Sequence, residues 1–157
     1  MATVPSYFGN FPFPPDQKRP VVITKQMMKL FVYPLGDLRN SDLNWIIAST
    51  DKLYTGIYQL PPGGTFDPPD IHGGDEPYYI LKGTVTVANP ETGQVVTARE
   101  GEAIHIPKGA WHKAYNFGPE AARILVMIAP KIWDESGAPD SFPGEMKLYK
   151  HGITEDC

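Results

Sequence analysis

The stretches PPGGTFDPPDIHGGDEPYYILKG, residues 61–83, and GEAIHIPKGAWHKAYN, residues 101–116, hold three of the chain's four histidines. In the first stretch Asp70, His72 and Glu76 share parity. Side chains of an extended strand alternate between faces, so these three donors leave one face together if the backbone stays extended. Gly73 and Gly74 can break that extension with a bulge or turn and still let carboxylate and imidazole converge. His112, in the second stretch, can complete the set from across a barrel. Imidazole nitrogens and carboxylate oxygens gathered at one point are the donors that divalent transition metals bind. The alternative reading makes His72 and Glu76 ordinary residues of a solvated loop and His112 a half-buried strand histidine.

Working outward, short segments rich in β-branched and aromatic residues recur between turn signals: VVIT, MKLFVY, LNWIIAS, LYTGIYQL, PYYIL, TVTVAN, QVVTA, AIHI, WHKAYN and RILVMI. Helical periodicity is almost absent. TVTVAN and QVVTA are joined by Pro90–Gly93, a hairpin connection with glycine where a positive φ is needed. So many strands in one small domain close into a barrel or pair as a sandwich, because both arrangements shelter sheet edges. The expected organisation is an extended arm over residues 1–20, one barrel domain over 21–133 and a tail over 134–157. The arm carries Tyr7, Phe8, Phe11 and Phe13 among prolines, and aromatics at that density favour docking on the body or on a partner subunit. The tail contains KLYKHG, which reads as a terminal strand or a partner-binding arm, and His151 within it has no evident role.

A length of 157 residues suits a single domain, and 41% hydrophobic with 20% charged residues supports a packed core. Seventeen prolines and 15 glycines fit short strands joined by turns. Fourteen basic against 18 acidic residues leave a formal charge of -4, so no basic field exists to gather nucleic acid or anionic lipid. The one cysteine, Cys157, has no intrachain partner, which points to a cytoplasmic protein held by packing or by a metal. The longest aliphatic run is Ile124–Ala129, and the N-terminus has no basic start followed by an apolar stretch, so neither export nor a membrane span is expected. A phosphate-cradling glycine pattern is also missing.

The two stretches resemble the paired motifs of the cupin superfamily, small β-barrels of the double-stranded β-helix (jelly-roll) kind. The first motif, a glycine, five residues, His-x-His, three or four residues, Glu, six residues and a glycine, falls on Gly64, Asp70, His72, Glu76 and Gly83. The second, a glycine, five residues, Pro-x-Gly, two residues, His, three residues and Asn, falls on Gly101, Pro107, Gly109, His112 and Asn116. One departure stands out: Asp70 occupies the place of the first histidine. The resemblance implies His72, Glu76 and His112 as metal ligands, a set that commonly holds non-haem Fe(II) and also takes Mn, Ni or Zn. Asp70 is then a fourth ligand, an acceptor that orients a ligating imidazole, or a base beside the metal. Two carboxylates around a divalent ion cancel its charge, which weakens it as a Lewis acid. Gly83, Pro107 and Gly109 read as turn chemistry, and Asn116 as the side chain that secures a backbone turn.

Tyr78 and Ile80 share parity with Glu76 and line the same interior on an unbroken strand. Tyr78 in this place is a packed aromatic or, as in some similar lyases, a general base. His105 and Trp111 are candidates for the cavity wall. Lys82, Lys113 and Arg123 could hold a substrate carboxylate, although surface solvation is the better reading for each. The function expected is a metal-dependent enzyme acting on a small oxygenated organic molecule, first a non-haem Fe(II) dioxygenase. The alternatives are a redox-neutral lyase, isomerase, cyclase or decarboxylase, and a non-catalytic binding module for a sugar or other small molecule. Barrels of this kind often pair through their sheets, so a homodimer is expected.

Overall fold

The computed structural model describes residues 11–12, 18–32, 43–50, 52–66, 69–130 and 147–151. Strands β1 (Lys29–Val32), β2 (Leu43–Ser49), β3 (Tyr54–Leu60), β4 (Glu76–Lys82) and β5 (Thr84–Ala88) lie in the first half. The second half supplies β6 (Val95–Arg99), β7 (Ala103–Ile106), β8 (Lys113–Tyr115), β9 (Ala122–Ile128) and β10 (Lys147–His151). No helix among the described residues is long and apolar enough to cross a membrane. The strands form a seven-stranded sheet in the order β10-β1-β2-β3-β9-β4-β7 and a three-stranded sheet in the order β6-β5-β8. All neighbours are antiparallel.

Alternation decides which side chains face the space between the sheets. Along β3 the buried set is Tyr54, Gly56, Tyr58 and Leu60, and along β9 it is Ala122, Ile124, Val126 and Ile128. Glu76, Tyr78 and Ile80 of β4, Ile104 and Ile106 of β7, and Val85 and Val87 of β5 complete the inner faces. Burying each of the large aliphatic side chains stabilises the fold by about 1.5–3 kcal/mol. Register also fixes neighbours: Glu76 lies opposite Ile106, and Tyr78 opposite Ile104 on one side and Val126 on the other.

One side of the sandwich is closed by the chain that continues β3. Gly63 N donates to Asn116 O at 2.8 Å and Asn116 N to Gly64 O at 2.9 Å, and Thr65 then bridges Tyr115 of β8. Further on, Asp70 pairs with His112. Asn116 is the buried pin of this closure, as its motif position anticipates. Its Nδ2 donates to the carbonyls of Leu60, Pro61 and Glu120 at 3.1, 3.1 and 2.7 Å, while its Oδ1 accepts from Gly118 N. On the other side β6 and β7 each end a sheet, with the tight turn that follows Arg99 between them and hydrogen-bonded back to Ile80 and Gly83.

Nine of the ten strand-like segments become strands. VVIT does not. Val21 and Val22 are exposed, and Met27 N closes a turn onto Thr24 O at 3.0 Å, so the segment pairs with no strand among the described residues. The β5–β6 hairpin forms as read: Gly93 sits at φ 74°, and Asn89 Oδ1 accepts from Glu91 N and Thr92 N. Phe11 exchanges backbone hydrogen bonds with Ser49 at 2.9 and 2.8 Å and enters the core, so the N-terminal segment docks on the body at this point. Tyr7, Phe8 and Phe13 lie outside the described residues. Residues 147–151 pair with β1 as a strand of the larger sheet.

Replacing Asn116 by alanine strands three carbonyls at the closure and is expected to cost about 2–3 kcal/mol in denaturant unfolding. A loss below about 0.5 kcal/mol, the range of an ordinary surface change, would contradict the pinning role.

Candidate metal centre

Three backbone devices bring the donors together. Asp70 and His112 are antiparallel partners, Asp70 N donating to His112 O at 2.8 Å and His112 N to Asp70 O at 2.9 Å, which sets their side chains side by side. The chain then bends at Gly73 and Gly74, so the single extended face from Asp70 to Glu76 does not form. The bend is held by Gly109 N donating to His72 O at 2.9 Å, and β4 starts at Glu76 with its carboxylate facing inward. A Cβ on Gly74 would stand 2.5 Å from Pro130 O and 2.6 Å from Ala129 O, whereas one on Gly73 meets nothing within 4 Å.

The donors converge despite the broken strand. One atom each of Asp70, His72 and His112 lies within 4.8 Å of the others, a group that can hold a metal ion. Glu76 sits against both imidazoles, its Oε2 lying 2.9 Å from His112 Nε2 and 3.2 Å from His72 Nε2. Asp70 Oδ2 is 3.6 Å from His72 Nε2, and Oδ1 accepts from Ile71 N at 2.9 Å. His72, Glu76 and His112 are buried, while Asp70 is half-buried. Glu76 Oε2 and His112 Nε2 are shut off from solvent, and neither makes a well-aligned hydrogen bond. Stranded polar atoms are costly in an interior, and a cation between them removes the cost, so the residues fit a divalent ion. His112 Nδ1 lies 3.1 Å from Ala110 O, and donation there leaves Nε2 as the metal-facing nitrogen.

Burial disfavours charge on every member, and their mutual attraction decides where each settles. Glu76 is penalised by burial, yet the two imidazoles beside it hold its carboxyl far down, at about 2. Burial pushes His72 down, but the carboxylates of Glu76 and then Asp70 outweigh it and hold the imidazole up at about 9. Burial also pushes His112 down, but the Glu76 carboxylate, helped by the Ala110 carbonyl, outweighs it and the repulsion of His72 and holds this imidazole up as well. Asp70 goes the other way: burial, reinforced by Glu76, pushes it up to about 6 in spite of both histidines. Without a metal, Glu76 is balanced by protons on the imidazoles. With one, the ion takes their place.

Around the donors stands an aromatic wall. Tyr78 and Phe66 present edges to His112 with ring centres 6.3 and 6.0 Å away, and Tyr58 packs on both. Tyr58 and Phe66 are absent from the sequence-based candidates, although the alternation of β3 marks Tyr58 as inward. Ile80 is fully buried on the same face as Glu76. Trp111 is 37% exposed and, with His112, lines a cleft of ≈ 580 Å³ between β7 and the smaller sheet. His105 borders this cleft, but it is exposed between buried Ile104 and Ile106, so its ring leaves the opposite face of β7 from the donors. The expected cations stand elsewhere. Lys82 pairs with Glu120 at 3.1 Å, Lys113 lies over the Tyr115 ring and Arg123 over the Trp45 ring.

The arrangement of two antiparallel sheets agrees with what known proteins show. Residues 56–128 match the cupin domain family, so the chain carries a cupin domain and the all-β cupin fold. A polyketide cyclase, RemF from Streptomyces resistomycificus, has a similar structure with a TM-score of 0.61 and 18% identity, covering 79% of this chain and 91% of that one. A predicted oxalate decarboxylase from Thermotoga maritima gives 0.59 and 20%, covering 71% and 100%. The cupin domain of Cnp3 from Schizosaccharomyces pombe gives 0.52 and 18%, with 57% of this chain spanning 65% of that one. At such identities the likeness carries the fold alone. Among curated proteins no sequence relative matches.

Two predictions follow from the geometry and the charges. Gly74→Ala must push the bend off Ala129 and Pro130, so it should lower metal affinity at least about tenfold and destabilise the fold by about 1–3 kcal/mol, with Gly73→Ala near neutral. Equal behaviour of the two variants in metal titrations would contradict the close approach. For the pH dependence, an imidazole raised in the folded state contributes stability that is complete below about 6.5, its ordinary value, and is lost as pH rises through about 9. Chelator-treated protein should therefore lose stability between those pH values, and metal-loaded protein should not, because the ion competes with protons for the same nitrogens. Parallel unfolding curves for the two forms across this window would refute the assignment.

Proposed function

We propose that the chain is a metal-dependent enzyme acting on a small oxygenated organic molecule, with a divalent ion held by His72, Glu76 and His112. The observation that carries this reading is the buried pair Glu76 Oε2 and His112 Nε2, which face each other at 2.9 Å beside His72 with no better partner. Two imidazoles and one carboxylate on one side of an ion leave coordination positions over, which is the donor set of non-haem Fe(II) oxygenases. Iron in this place supplies a redox-active centre where dioxygen and a chelating substrate can meet. The protein's own groups bind and orient: His112 is locked by Ala110 O, Tyr78 and Phe66 exclude water, and Asp70 stands at the edge of the set to take or return a substrate proton.

Asp70 also favours a second reading. Its carboxylate is held by Ile71 N through one oxygen, and the other oxygen is left beside the donors, a placement suited to moving a proton next to a carbonyl polarised by Zn, Mn or Ni. A polyketide cyclase and a predicted oxalate decarboxylase share the fold, and cyclisation and decarboxylation are redox-neutral. The non-catalytic alternative requires that no ion be held by these residues.

Anaerobic loading with Fe(II) followed by elemental analysis should give about one iron per chain, lost in His72→Ala and His112→Ala. Nitric oxide, a stand-in for dioxygen that needs no substrate, should then give a high-spin iron–nitrosyl signal. Retained zinc or manganese with no nitrosyl signal from iron-loaded protein would overturn the oxygenase reading in favour of the redox-neutral one. Metal content unaffected by the histidine variants would overturn both.

A further inference from the structure

We infer that the cleft beside His112 takes a planar apolar molecule that carries its chelating oxygen atoms at one end, such as a hydroxylated fused-ring aromatic, in preference to a small dicarboxylate with no apolar body to fill it. This deepens the metal-centre reading and rests on it for the position of the chelating end.

The cleft lies where the two sheets part, between the terminal strands β6 and β7. Its volume, ≈ 580 Å³, lies within the span of about 300–1,000 Å³ usual for small-molecule sites. The inner walls are aliphatic. Val87, Val96 and Ala98 come from the smaller sheet, with Val96 directly opposite Val87, and Ile104 and Ile106 face them from β7. Ile106 is the cross-strand partner of Glu76 and Ile104 that of Tyr78, and His112 is itself part of the lining, so the apolar channel ends against the donor set. A flat hydrocarbon body fits between these aliphatic walls, its inner end meets the donor set, and Asn89, Gln94 and Thr97 supply the polar part of the lining.

Charge along the walls works against the alternative. Among the described residues lining the cleft there is no lysine or arginine, and the one carboxylic side chain there is Glu102. Its Oε2 accepts from Arg99 N at 2.8 Å, which keeps the negative charge at the mouth. A carboxylate entering would lose hydration along these walls and pass a like charge, and the cation it gains is the ion at the donor set alone, so it has no apolar contact to offset its desolvation. Lys82, Lys113 and Arg123 do not line the cleft and stand instead against Glu120, the Tyr115 ring and the buried Trp45 ring.

The test is calorimetric titration of the full chain, metal-loaded and chelator-treated, with an ortho-naphthalenediol and with oxalate. Val96→Arg places a cation in the cleft wall at a position already 37% exposed, and Gln94→Arg does so at the exposed hairpin, so one remains informative if the other misfolds. Loaded wild-type protein should bind the diol at least about tenfold more tightly than oxalate, and either variant should weaken the diol about tenfold at unchanged metal content and strengthen oxalate. Tighter binding of oxalate than of the diol by loaded wild-type protein, or metal retained with no diol binding, would overturn the inference and leave the metal centre standing. Diol binding that is sensitive to Val96→Arg in a protein that holds no metal would do the reverse, keeping the apolar cleft and removing the metal-centre reading.

Discussion

A fully enclosed carboxylate cannot stay charged without a positive partner, and Glu76 is such a carboxylate. It stands at the first position of β4, 3% exposed, with an imidazole on each side. Much of the surrounding structure follows from that constraint. Either protons on His72 and His112 or a divalent ion must answer the charge, and the strongly depressed acidity of Glu76 with the raised imidazoles expresses the first solution. The second solution uses the same atoms, so metal and protons are competitors for one site. The aromatic wall of Tyr58, Phe66 and Tyr78 keeps water from offering a third.

The fold delivers these groups through backbone contacts that are independent of the metal. His112 is set by its pairing with Asp70, His72 by the bend that Gly109 N holds, and Glu76 by the start of a strand whose register against β7 and β9 is fixed along several residues. Asn116 ties the far end of the same segment to the chain that leaves β3. Because these devices sit in loops between packed strands, the donors are preorganised while one side of the barrel stays open as the cleft.

Much of this was legible in the sequence because two spaced patterns constrain each other. Gly64 to Gly83 and Gly101 to Asn116 are too specific in order and distance to belong to unrelated loops, and alternation in LYTGIYQL and RILVMI marks their inner faces. The bend at Gly73 and Gly74 shows where parity stops being a guide: the donors meet through a turn, and the reading that tolerated a break is the one that holds. VVIT has strand composition but no pairing neighbour among the described residues, and pairing is a tertiary property that a segment does not announce. His105 illustrates the opposite case, since the alternation of AIHI already turns it outward while placing Ile104 and Ile106 on the wall of the cleft. Phe66 lies outside any strand and had no periodic signal to reveal it.

The most direct test of the account is the position of the ion itself. Crystals of the metal-loaded protein, with data collected on both sides of the metal's absorption edge, should show one anomalous peak about 2.0–2.2 Å from His72 Nε2, His112 Nε2 and a carboxylate oxygen of Glu76. A peak elsewhere on the chain, or none in protein that retains metal in solution, would contradict it.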